Sequence, residues 1–304
     1  MIRVATRASA LALAQARSVA AGLAGAAVEI VPMRTEGDRL AEARLAVVGG
    51  KGLFVREIEE ALLRGDVDVA VHSLKDLPAE QPSGLTLAAF PPREDARDVL
   101  VARQPATVET LARGARVGTS SPRRRALLLA LRPDLAVEPI RGNVDTRLRK
   151  LATGDWDALV LAAAGLRRLA LAPEHWAPLD PDVFVPAVGQ GIIAVEARAN
   201  DRDMLTRLAR VDDPITRACA LAERAYLARL GASCHTPMAA HARLEGDILR
   251  MSVVVASEDG RQVLRESATA LASDARRLGH ELADALLARG AADITPLNPI
   301  GTPR

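Results

Sequence analysis

Cysteine, aromatic residues and long apolar runs are scarce in this chain, and each shortage excludes a class of protein. Two cysteines in 304 residues, Cys219 and Cys234, cannot form a disulfide framework or a zinc tetrad, so we expect a reducing compartment and a cytoplasmic location. Aromatic residues make up 2% of the chain, which argues against a base-stacking platform for single-stranded nucleic acid. No apolar run approaches the length of a membrane span, and we expect no membrane partner.

Charged residues are numerous but nearly balanced. The formal net charge is +2, so no global field favours nucleic acid, and we expect no nucleic-acid partner. Lysine occurs only at Lys51, Lys75 and Lys150, which leaves 37 of the 40 basic residues as arginine. A lysine kept against this background indicates a position that prefers a compact ammonium to a planar guanidinium, although chance explains Lys150 equally well.

The first 28 residues contain three arginines and no acidic residue, a composition that superficially resembles a transit peptide. The same segment has the period of a strand over residues 2–6 and of a helix over residues 10–23. We favour the second interpretation, because both elements have the length expected in a folded domain.

Short apolar runs alternate with helical patterns through the first two thirds of the chain, which predicts an α/β fold with mostly parallel sheets. The first series has predicted strands over residues 2–6, 28–33, 67–71 and 85–90 and helices over 10–23 and 53–64. After Pro91-Pro92, the second series has predicted strands over residues 99–102, 116–118, 137–140 and 158–162. Ser121 and Asn143 are expected to cap the two helices that follow strands of this series.

The last third predicts a return to the first domain and then a small α+β domain. A strand over residues 192–196 follows the loop Val188-Gly189-Gln190-Gly191. Beyond it come a helix over 215–230, three strands joined by turns at Gly246-Asp247 and Asp259-Gly260, and a helix over 274–289. The predicted domains are therefore residues 1–95 with 192–211, residues 96–191, and residues 212–304.

The segment His72-Ser73-Leu74-Lys75-Asp76 follows an apolar strand, and ligands of open α/β sheets bind beyond the carboxyl ends of strands. Asp76 could act as a general acid or base or stabilise a developing cation, and Lys75 could counter negative groups of a substrate. Lys75 could also form a Schiff base, although the adjacent carboxylate favours the charged ammonium. An ordinary surface ion pair is the alternative to all of these roles.

Two other segments of the first domain could contact an anion. Arg7 and Ser9 stand at a strand-to-helix junction, where backbone N–H groups favour an anion, although a capped helix beside a solvated arginine fits the same residues. The glycine-rich loop that contains Lys51 lacks the Walker spacing, because Gly52 follows the lysine where Ser or Thr is required. This loop predicts a flexible cover over a site, with an ordinary exposed loop as the alternative.

Arginine and small residues follow three predicted strands of the second domain. They occur in Gly118-Thr119-Ser120-Ser121-Pro122-Arg123-Arg124-Arg125, in Arg141-Gly142-Asn143-Val144-Asp145-Thr146-Arg147 and in Ala164-Gly165-Leu166-Arg167-Arg168. A hydrogen bond to a partly buried charged group contributes about 1.5–3 kcal/mol, so several arginines in one cleft could hold a polycarboxylate firmly.

Cys234 stands in a turn-forming stretch between a predicted helix and a predicted strand, where a thiol is placed for reaction rather than for packing. Cys219 lies inside the helix and is expected to pack as a small apolar residue. Cys234, His235 and His241 form no standard ligand set, so we expect no metal.

In chain order, Arg7-Ala8-Ser9, VGGKGLF, HSLKD, GTSSPRR, RGNVDTR, AGLRRL, AVGQG and a late cysteine loop resemble the motifs of the hydroxymethylbilane synthase, or porphobilinogen deaminase, family. The resemblance spans residues 2–238 and, by layout, the remainder. It implies two domains similar to periplasmic binding proteins with a cleft between them, plus a small C-terminal α+β domain with a three-stranded sheet. It also implies a monomeric transferase of tetrapyrrole biosynthesis, which condenses four porphobilinogen molecules head to tail, releases ammonia and yields linear hydroxymethylbilane.

The resemblance implies a role for each motif. A dipyrromethane cofactor, made from the substrate, is expected on Cys234 through a thioether, and Asp76 is expected to be the catalytic carboxylate, with Lys75 beside it. The residues expected to contact the cofactor are Lys75, Asp76, Ser121, Arg123 and Arg124. The residues expected to bind substrate are Arg7, Ser9, Arg141, Arg147 and Arg168. Lys51 and Phe54 are expected on a mobile active-site loop.

Three positions depart from the family pattern. Pro122 stands where leucine is expected, Ala232-Ser233 where glycines often precede the cysteine, and Asp145 adds an acid among the arginines. Pro122 suits the first turn of a helix. A two-lobed protein that binds or senses a small anion is the alternative function, and it would need neither a reactive thiol nor Asp76. Nucleic-acid binding through arginine, a third hypothesis, predicts a steep salt dependence.

Overall fold

The computed structural model of the chain describes residues 1–23, 25–34, 55–233 and 235–299. Three of the predicted site residues, Lys51, Phe54 and Cys234, lie outside these residues. The chain divides into two compact units, residues 1–94 with 192–217 and residues 95–191 with 218–304. The division into three domains stays a prediction.

Strands and helices alternate along both predicted βα series. The strands are β1 (Ile2–Arg7), β2 (Val28–Met33), β3 (Val69–Ser73), β4 (Leu85–Ala89), β5 (Asp98–Ala102), β6 (Arg116–Gly118), β7 (Ala136–Glu138), β8 (Ala158–Ala162), β9 (Trp176–Pro178), β10 (Ile193–Arg198), β11 (Met238–Glu245), β12 (Ile248–Ala256) and β13 (Val263–Leu271). The helices are α1 (Ala10–Gly22), α2 (Arg56–Arg64), α3 (Pro122–Leu131), α4 (Val144–Ala152), α5 (Ala163–Arg168), α6 (Arg202–Leu208), α7 (Pro214–Leu230), α8 (Ala275–Ala288) and α9 (Ala291–Ile294). Single 3-10 turns follow β3 and β13, at Leu74–Asp76 and Ala272–Asp274.

The first unit is built on a five-stranded sheet in the order β2-β1-β3-β10-β4. β1 pairs in parallel with β2 and β3, whereas β10 is antiparallel to β3 and β4. Side chains alternate between the two faces, as strand geometry requires. Val4 packs on α1, and Ala5 packs on Ile58 and Leu62 of α2. The strand predicted over residues 192–196 lies in this sheet as β10, between β3 and β4.

The second unit contains a sheet of the same kind, in the order β7-β6-β8-β5-β9. β6 is parallel to β7 and β8, and β5 is antiparallel to β8 and β9. Both sheets therefore have one antiparallel strand among parallel ones, which confirms the predicted α/β class. Val101 and Leu159 pack on one face with α4, and Leu100 and Val160 pack on the other with α3.

The C-terminal strands β11, β12 and β13 form an antiparallel three-stranded sheet, and the two predicted hairpins are confirmed. One face of this sheet packs on α7 and α8 through Tyr226, Leu278 and Leu282. The Tyr226 hydroxyl is buried and donates a hydrogen bond to the Val254 carbonyl at 3.0 Å, so its polar end is satisfied within the core.

Some predicted boundaries were wrong, and four short elements were missed. β3 covers residues 69–73 rather than 67–71, because its end is held by pairing of Ser73 with Ile193, a residue far away in sequence. The missed elements are β9, α5, α6 and α9, and their lengths of 3, 6, 7 and 4 residues are too short to show a clear period. Asn143 stands at the start of α4 as expected, but its side chain makes no capping hydrogen bond.

Candidate active site

Arg7, Ser9 and Asp76 line one small pocket in the first unit, where β1 and β3 end. Parallel pairing of Ala5 with Ala70 places the carboxyl ends of these strands side by side. The Ser9 hydroxyl accepts a hydrogen bond from the Ala12 N–H at 3.3 Å and so begins α1 at this edge. Asp76 lies in the 3-10 turn after β3 with its side chain exposed, so its carboxylate is open to a ligand.

The wall of this pocket is fixed by hydrogen bonds from buried polar groups. The Gln15 amide, with 2% of the residue exposed, donates to the Ser73 hydroxyl at 2.8 Å. The Leu74 N–H donates to the Ile192 carbonyl at 3.0 Å and anchors the turn that carries Asp76 to the strand β10 region. Lys75 is the middle residue of that turn and is half-buried. The sequence-predicted Arg7, Ser9, Lys75 and Asp76 are therefore together at one edge of the sheet.

In the second unit, Arg123 and Arg124 lie in the first turn of α3 and share one buried carboxylate, that of Asp98. Arg123 Nη1 is 2.7 Å from Asp98 Oδ2 and also donates to the Val185 carbonyl at 2.8 Å. Arg124 Nε donates to Asp98 Oδ1 at 2.9 Å, and its Nη1 donates to the Val160 carbonyl at 2.9 Å. Two arginines against one carboxylate leave this buried cluster with excess positive charge.

Asp98 is ionised and is the counter-ion of this cluster. Burial by itself would raise the pKa of Asp98, but the charges of Arg123 and Arg124 and hydrogen bonds from Arg123 and Gln190 outweigh burial and lower that pKa to about 2. Gln190 is 1% exposed, and its amide donates to the Ala96 carbonyl at 2.7 Å and to Asp98 Oδ1 at 3.0 Å. The glutamine of the AVGQG motif is thus part of the support of the two arginines.

Arg147 of α4 is close enough to Arg124 for their charges to interact. Burial lowers the pKa of Arg147, and the positive charge of Arg124 lowers it further, as expected for two guanidinium groups held near each other. Arg147 Nε donates to the Gly142 carbonyl at 2.7 Å. Arg168 Nη2 donates to the carbonyl of Gly191, the last residue of the AVGQG motif, at 2.7 Å.

Arg141 is placed differently. Its side chain is exposed, and it lines a second pocket of this unit with Arg116, Lys150 and Trp156. The Lys150 ammonium donates to the Arg141 carbonyl at 3.1 Å. Among the described residues, no hydrogen bond or ion pair joins Arg141 to Arg123 or Arg124, so its role in binding substrate stays a prediction.

The second unit has donors that fit an acidic ligand. Arg123 Nε is buried and lacks a hydrogen-bond partner among the described residues, which is unusual for a guanidinium held among polar groups. The Ser121 hydroxyl caps α3 by accepting from the Arg124 N–H at 3.4 Å, so Ser121 stands at the same helix start. Guanidinium charge that Asp98 only partly neutralises suits a polycarboxylate such as a dipyrromethane.

Sequence reasoning missed Asp98 as a partner of Arg123 and Arg124, and it missed Glu196. Both are acidic residues within apolar strands, Asp98 before Val-Leu-Val-Ala and Glu196 after Ile-Ile-Ala-Val, and both are 0% exposed. An acid in such a run is a signal in itself, because a buried carboxylate needs a charged partner. The sequence alone does not identify that partner.

Among the described residues, no group of histidine, cysteine and acidic side chains could hold a metal ion. Cys219 is buried within α7, as expected for a packing residue, and His241 is buried on β11. None of the helices in residues 1–23, 25–34, 55–233 and 235–299 is long and apolar enough to cross a membrane.

Comparison with known families matches nearly the whole chain. The model described as "Porphobilinogen deaminase, dipyromethane cofactor binding domain" matches residues 2–206, and "Porphobilinogen deaminase, C-terminal domain" matches residues 217–288. The porphobilinogen deaminase of Roseiflexus castenholzii (strain DSM 13941 / HLO8) is 51% identical over 293 residues, covering 95% of this chain and 96% of the relative. That of Syntrophotalea carbinolica (strain DSM 2380 / NBRC 103641 / GraBd1) is 48% identical over 305 residues, covering 97% of each.

Solved structures match less closely. The periplasmic VFT2 domain of Bordetella pertussis BvgS is 18% identical, with a TM-score of 0.41 over 69% of this chain and 86% of that domain. The methionine-binding protein MetQ is 14% identical, with a TM-score of 0.41 over 69% of this chain and 87% of that protein. Scores this low support no inference about function.

Proposed function

The chain belongs to the porphobilinogen deaminase family, and on this premise we propose that Asp76 is its catalytic carboxylate. The activity is that of a hydroxymethylbilane synthase, a transferase of tetrapyrrole biosynthesis. Four porphobilinogen molecules are condensed head to tail with loss of ammonia, and the product is linear hydroxymethylbilane.

One observation carries the assignment of the site. Asp76 is exposed in a pocket that Arg7 and Ser9 also line, and buried groups fix the backbone around it. A carboxylate beside a guanidinium and a helix N-terminus suits a substrate that is acidic at its edges and becomes cationic at its reacting carbon. Porphobilinogen has both properties, because its ring carries two carboxylates and loss of ammonia leaves an electron-poor methylene-pyrrole.

The chemistry of Asp76 is electrostatic and positional. Its carboxylate stabilises positive charge that develops on the pyrrole as the carbon–nitrogen bond to ammonia breaks. Arg7 and the N-terminus of α1 hold a substrate carboxylate, and Lys75 offers a further ammonium from the same turn as Asp76. This division of roles keeps the reacting carbon next to Asp76 and the acidic groups next to cations.

We assign the holding of the dipyrromethane cofactor to Cys234, Lys75, Asp76, Ser121, Arg123 and Arg124. Cys234 would attach it through a thioether, and the arginines would bind its acetate and propionate groups. When bound, the cofactor supplies the pyrrole carbon to which the first substrate unit is joined. Arg123 and Arg124 contribute guanidinium charge that Asp98 only partly neutralises.

The remaining assignments follow the family pattern. Arg141, Arg147 and Arg168 would bind the carboxylates of substrate and of the growing chain, and Lys51 and Phe54 would belong to a mobile loop at the site. We also propose a cytoplasmic monomer without nucleic-acid or membrane partners. The balanced net charge of +2 supports the absence of a nucleic-acid partner.

The test of the site is Asp76→Asn. We expect turnover of porphobilinogen to fall at least about 100-fold, the size of effect seen when one preorganised electrostatic group is removed. Intact mass spectrometry should still show a bipyrrole-sized adduct on this variant, and the adduct should be absent from Cys234→Ser. Asp66→Asn changes an exposed carboxylate of the same unit, paired with Arg64, and should leave turnover unchanged.

Other results would reject parts of this proposal. Near-normal turnover by Asp76→Asn removes Asp76 from the mechanism. An active wild-type protein with no adduct eliminates the cofactor and Cys234 together. A protein that binds small anions but never turns over porphobilinogen supports the anion-binding alternative.

A further inference from the structure

Three ionisable side chains are buried together in the first unit, next to the pocket that contains Asp76. His72 is 5% exposed, Glu196 is 0% exposed and Glu59 is 9% exposed. His72 Nε2 lies 3.4 Å from Glu196 Oε2. In the part of the chain that the structure describes, neither this nitrogen nor either Glu196 carboxylate oxygen has a hydrogen-bond partner of good geometry.

Strand register explains why these residues meet. In the antiparallel pair of β10 and β3, Ala194 is opposite His72 and Glu196 is opposite Ala70. Residues two apart share a face, so His72 and Glu196 are diagonal neighbours on one side of the sheet. Ala70, on that same side, packs against Ile58 of α2. Glu59, the next residue of α2, is buried as well, and its charge interacts with the charges of Glu196 and His72.

The cluster contains two carboxyl groups and one imidazole, so it cannot be neutral if both carboxyls are ionised. Burial raises the pKa of Glu59, the charge of Glu196 raises it further and His72 partly offsets these effects, so that the pKa is about 7. Below about pH 7, Glu59 therefore keeps its proton and adds no negative charge to the cluster.

Other charged groups around Glu59 are already paired or exposed. On β10, Arg198 pairs with Asp201 at 3.0 Å and with Asp68 at 3.6 Å. On α2 itself, Glu60 pairs with Arg56 and Arg64, and these side chains are exposed. Glu57 is the remaining acid of α2, and residues 85–89 of β4 carry no ionisable side chain.

His72 belongs to both the cluster and the lining of the pocket. His72 and Val55, the residue before α2, line the same pocket as Arg7, Ser9 and Asp76. A charge on a buried group is weakly screened, so a change in the ionisation of Glu59 acts on whatever binds in this pocket. An additional negative charge behind the pocket opposes binding of a carboxylate.

We propose that Glu59, His72 and Glu196 form a buried proton-holding cluster, and that the proton on Glu59 lets the pocket of Arg7 and Asp76 accept an acidic substrate. This inference rests on the proposed function, because the acidic substrate is porphobilinogen. Glu59 and Glu196 act through His72 and are positioning residues. We therefore expect substrate binding to depend on pH through the ionisation of Glu59.

The first test compares kcat and KM for porphobilinogen between pH 6 and 9, using protein that carries its cofactor. In the wild type we expect KM to rise roughly fivefold as Glu59 ionises, with a smaller change in kcat. Glu59→Gln should remove this rise, because its amide cannot ionise. Glu60→Gln, an exposed neighbour on the same helix, should keep it. Titration of the substrate affects the wild type and the variant equally, so it cancels when their KM values are compared. A profile of KM against pH that is identical in Glu59→Gln and the wild type contradicts the proposal.

A second variant tests the link between the two carboxyls. Glu196→Gln removes the negative neighbour of Glu59, so Glu59 should lose its proton at lower pH, and the rise in KM should move to lower pH. A rise that stays at the same pH in Glu196→Gln contradicts the cluster, because the two carboxyls would then be independent.

Thermal unfolding tests whether Glu59 holds a proton in the folded chain, without an activity assay. The folded chain binds the Glu59 proton more tightly than the unfolded chain, whose ordinary pKa is 4.5, so this contribution to stability is complete below pH 4.5 and is lost as pH rises through about 7. The Tm of the wild type relative to Glu59→Gln should therefore fall by about 3–5 °C over that range and then stay constant. A Tm difference that is independent of pH contradicts the cluster alone. A wild type that keeps the Tm trend but never turns over porphobilinogen contradicts the proposed function, and the substrate part of this inference with it.

Discussion

Single residues decide how the cationic site of the second unit is built, and Asp98 is the clearest case. It starts β5, is 0% exposed and is held by Arg123, Arg124 and Gln190. A buried carboxylate of this kind cannot contact a ligand, so its effect on function passes through the guanidinium groups that it orients. Its removal would leave two buried positive charges without a counter-ion.

Asp98→Asn should therefore destabilise the protein by about 3–5 kcal/mol, the cost of breaking a buried ion pair from one side. The measurement is urea unfolding followed by circular dichroism. Asp134→Asn is the matched control, because Asp134 also lies 2.7 Å from an arginine but this pair is partly exposed. We expect a much smaller change in the control. Equal losses in the two variants would show that burial of Asp98 is not what matters.

Asp98 also predicts that the protein loses stability at acid pH. The folded pKa of Asp98, about 2, is below the ordinary value of 3.8, so its contribution to stability is present above pH 3.8 and is lost as pH falls through about 2. The wild type should lose stability in this window, whereas Asp98→Asn should lose less.

At the scale of elements, the helices of the second unit begin in two different ways. Ser121 caps α3 with its hydroxyl, whereas Asn143 stands at the start of α4 without a side-chain hydrogen bond. The two residues are equivalent by sequence, since each follows a short strand and precedes a helix. Which of them contributes capping energy is decided by the backbone around each one.

Ser121→Ala should destabilise the protein by about 1 kcal/mol through the lost cap, whereas Asn143→Ala should cost less. Urea unfolding of both variants at one pH gives the comparison. Losses of the same size would show that the hydroxyl of Ser121 does not act as a cap.

Strand β10 shows what an element can do that a local pattern does not reveal. Its apolar residues predict a strand, but only its pairing with β3 brings Glu196 to His72 and extends β3 to Ser73. These partners are more than a hundred residues apart in the sequence. The pocket wall beside Asp76 therefore depends on the late return of the chain.

At the scale of the whole molecule, residues 95–191 and 218–304 share one compact unit and part of one core. Ala239 of β11 and Val254 of β12 pack in the same cluster as Leu127 and Leu128 of α3. The hairpin between β12 and β13 also approaches α3. A Cβ atom at Gly260 would lie 2.4 Å from the Ala126 carbonyl oxygen, so only glycine fits.

Gly260→Ala should destabilise the protein by about 3 kcal/mol, because the methyl group would push the hairpin away from α3. Gly246→Ala is the matched control in the other hairpin, with a similar positive φ of +61° against +71° but with nothing within 4 Å of the new Cβ. It should cost only the backbone strain, about 1–2 kcal/mol. Urea unfolding measures both, and equal losses would mean that the contact with α3 contributes nothing.

The sequence by itself determined the α/β class, most element positions and the motifs of the site. Hydrophobic periodicity, helix caps and glycine turns depend on residues that are close in the sequence. Each motif between Arg7 and Arg168 is likewise a run of consecutive residues. Only the tertiary structure decided that Asp98 neutralises part of the charge of Arg123 and Arg124, and that Glu59, His72 and Glu196 share a buried cluster. The physical reason is that the partner of a buried charge is chosen by strand order and helix packing, which join residues far apart in the chain.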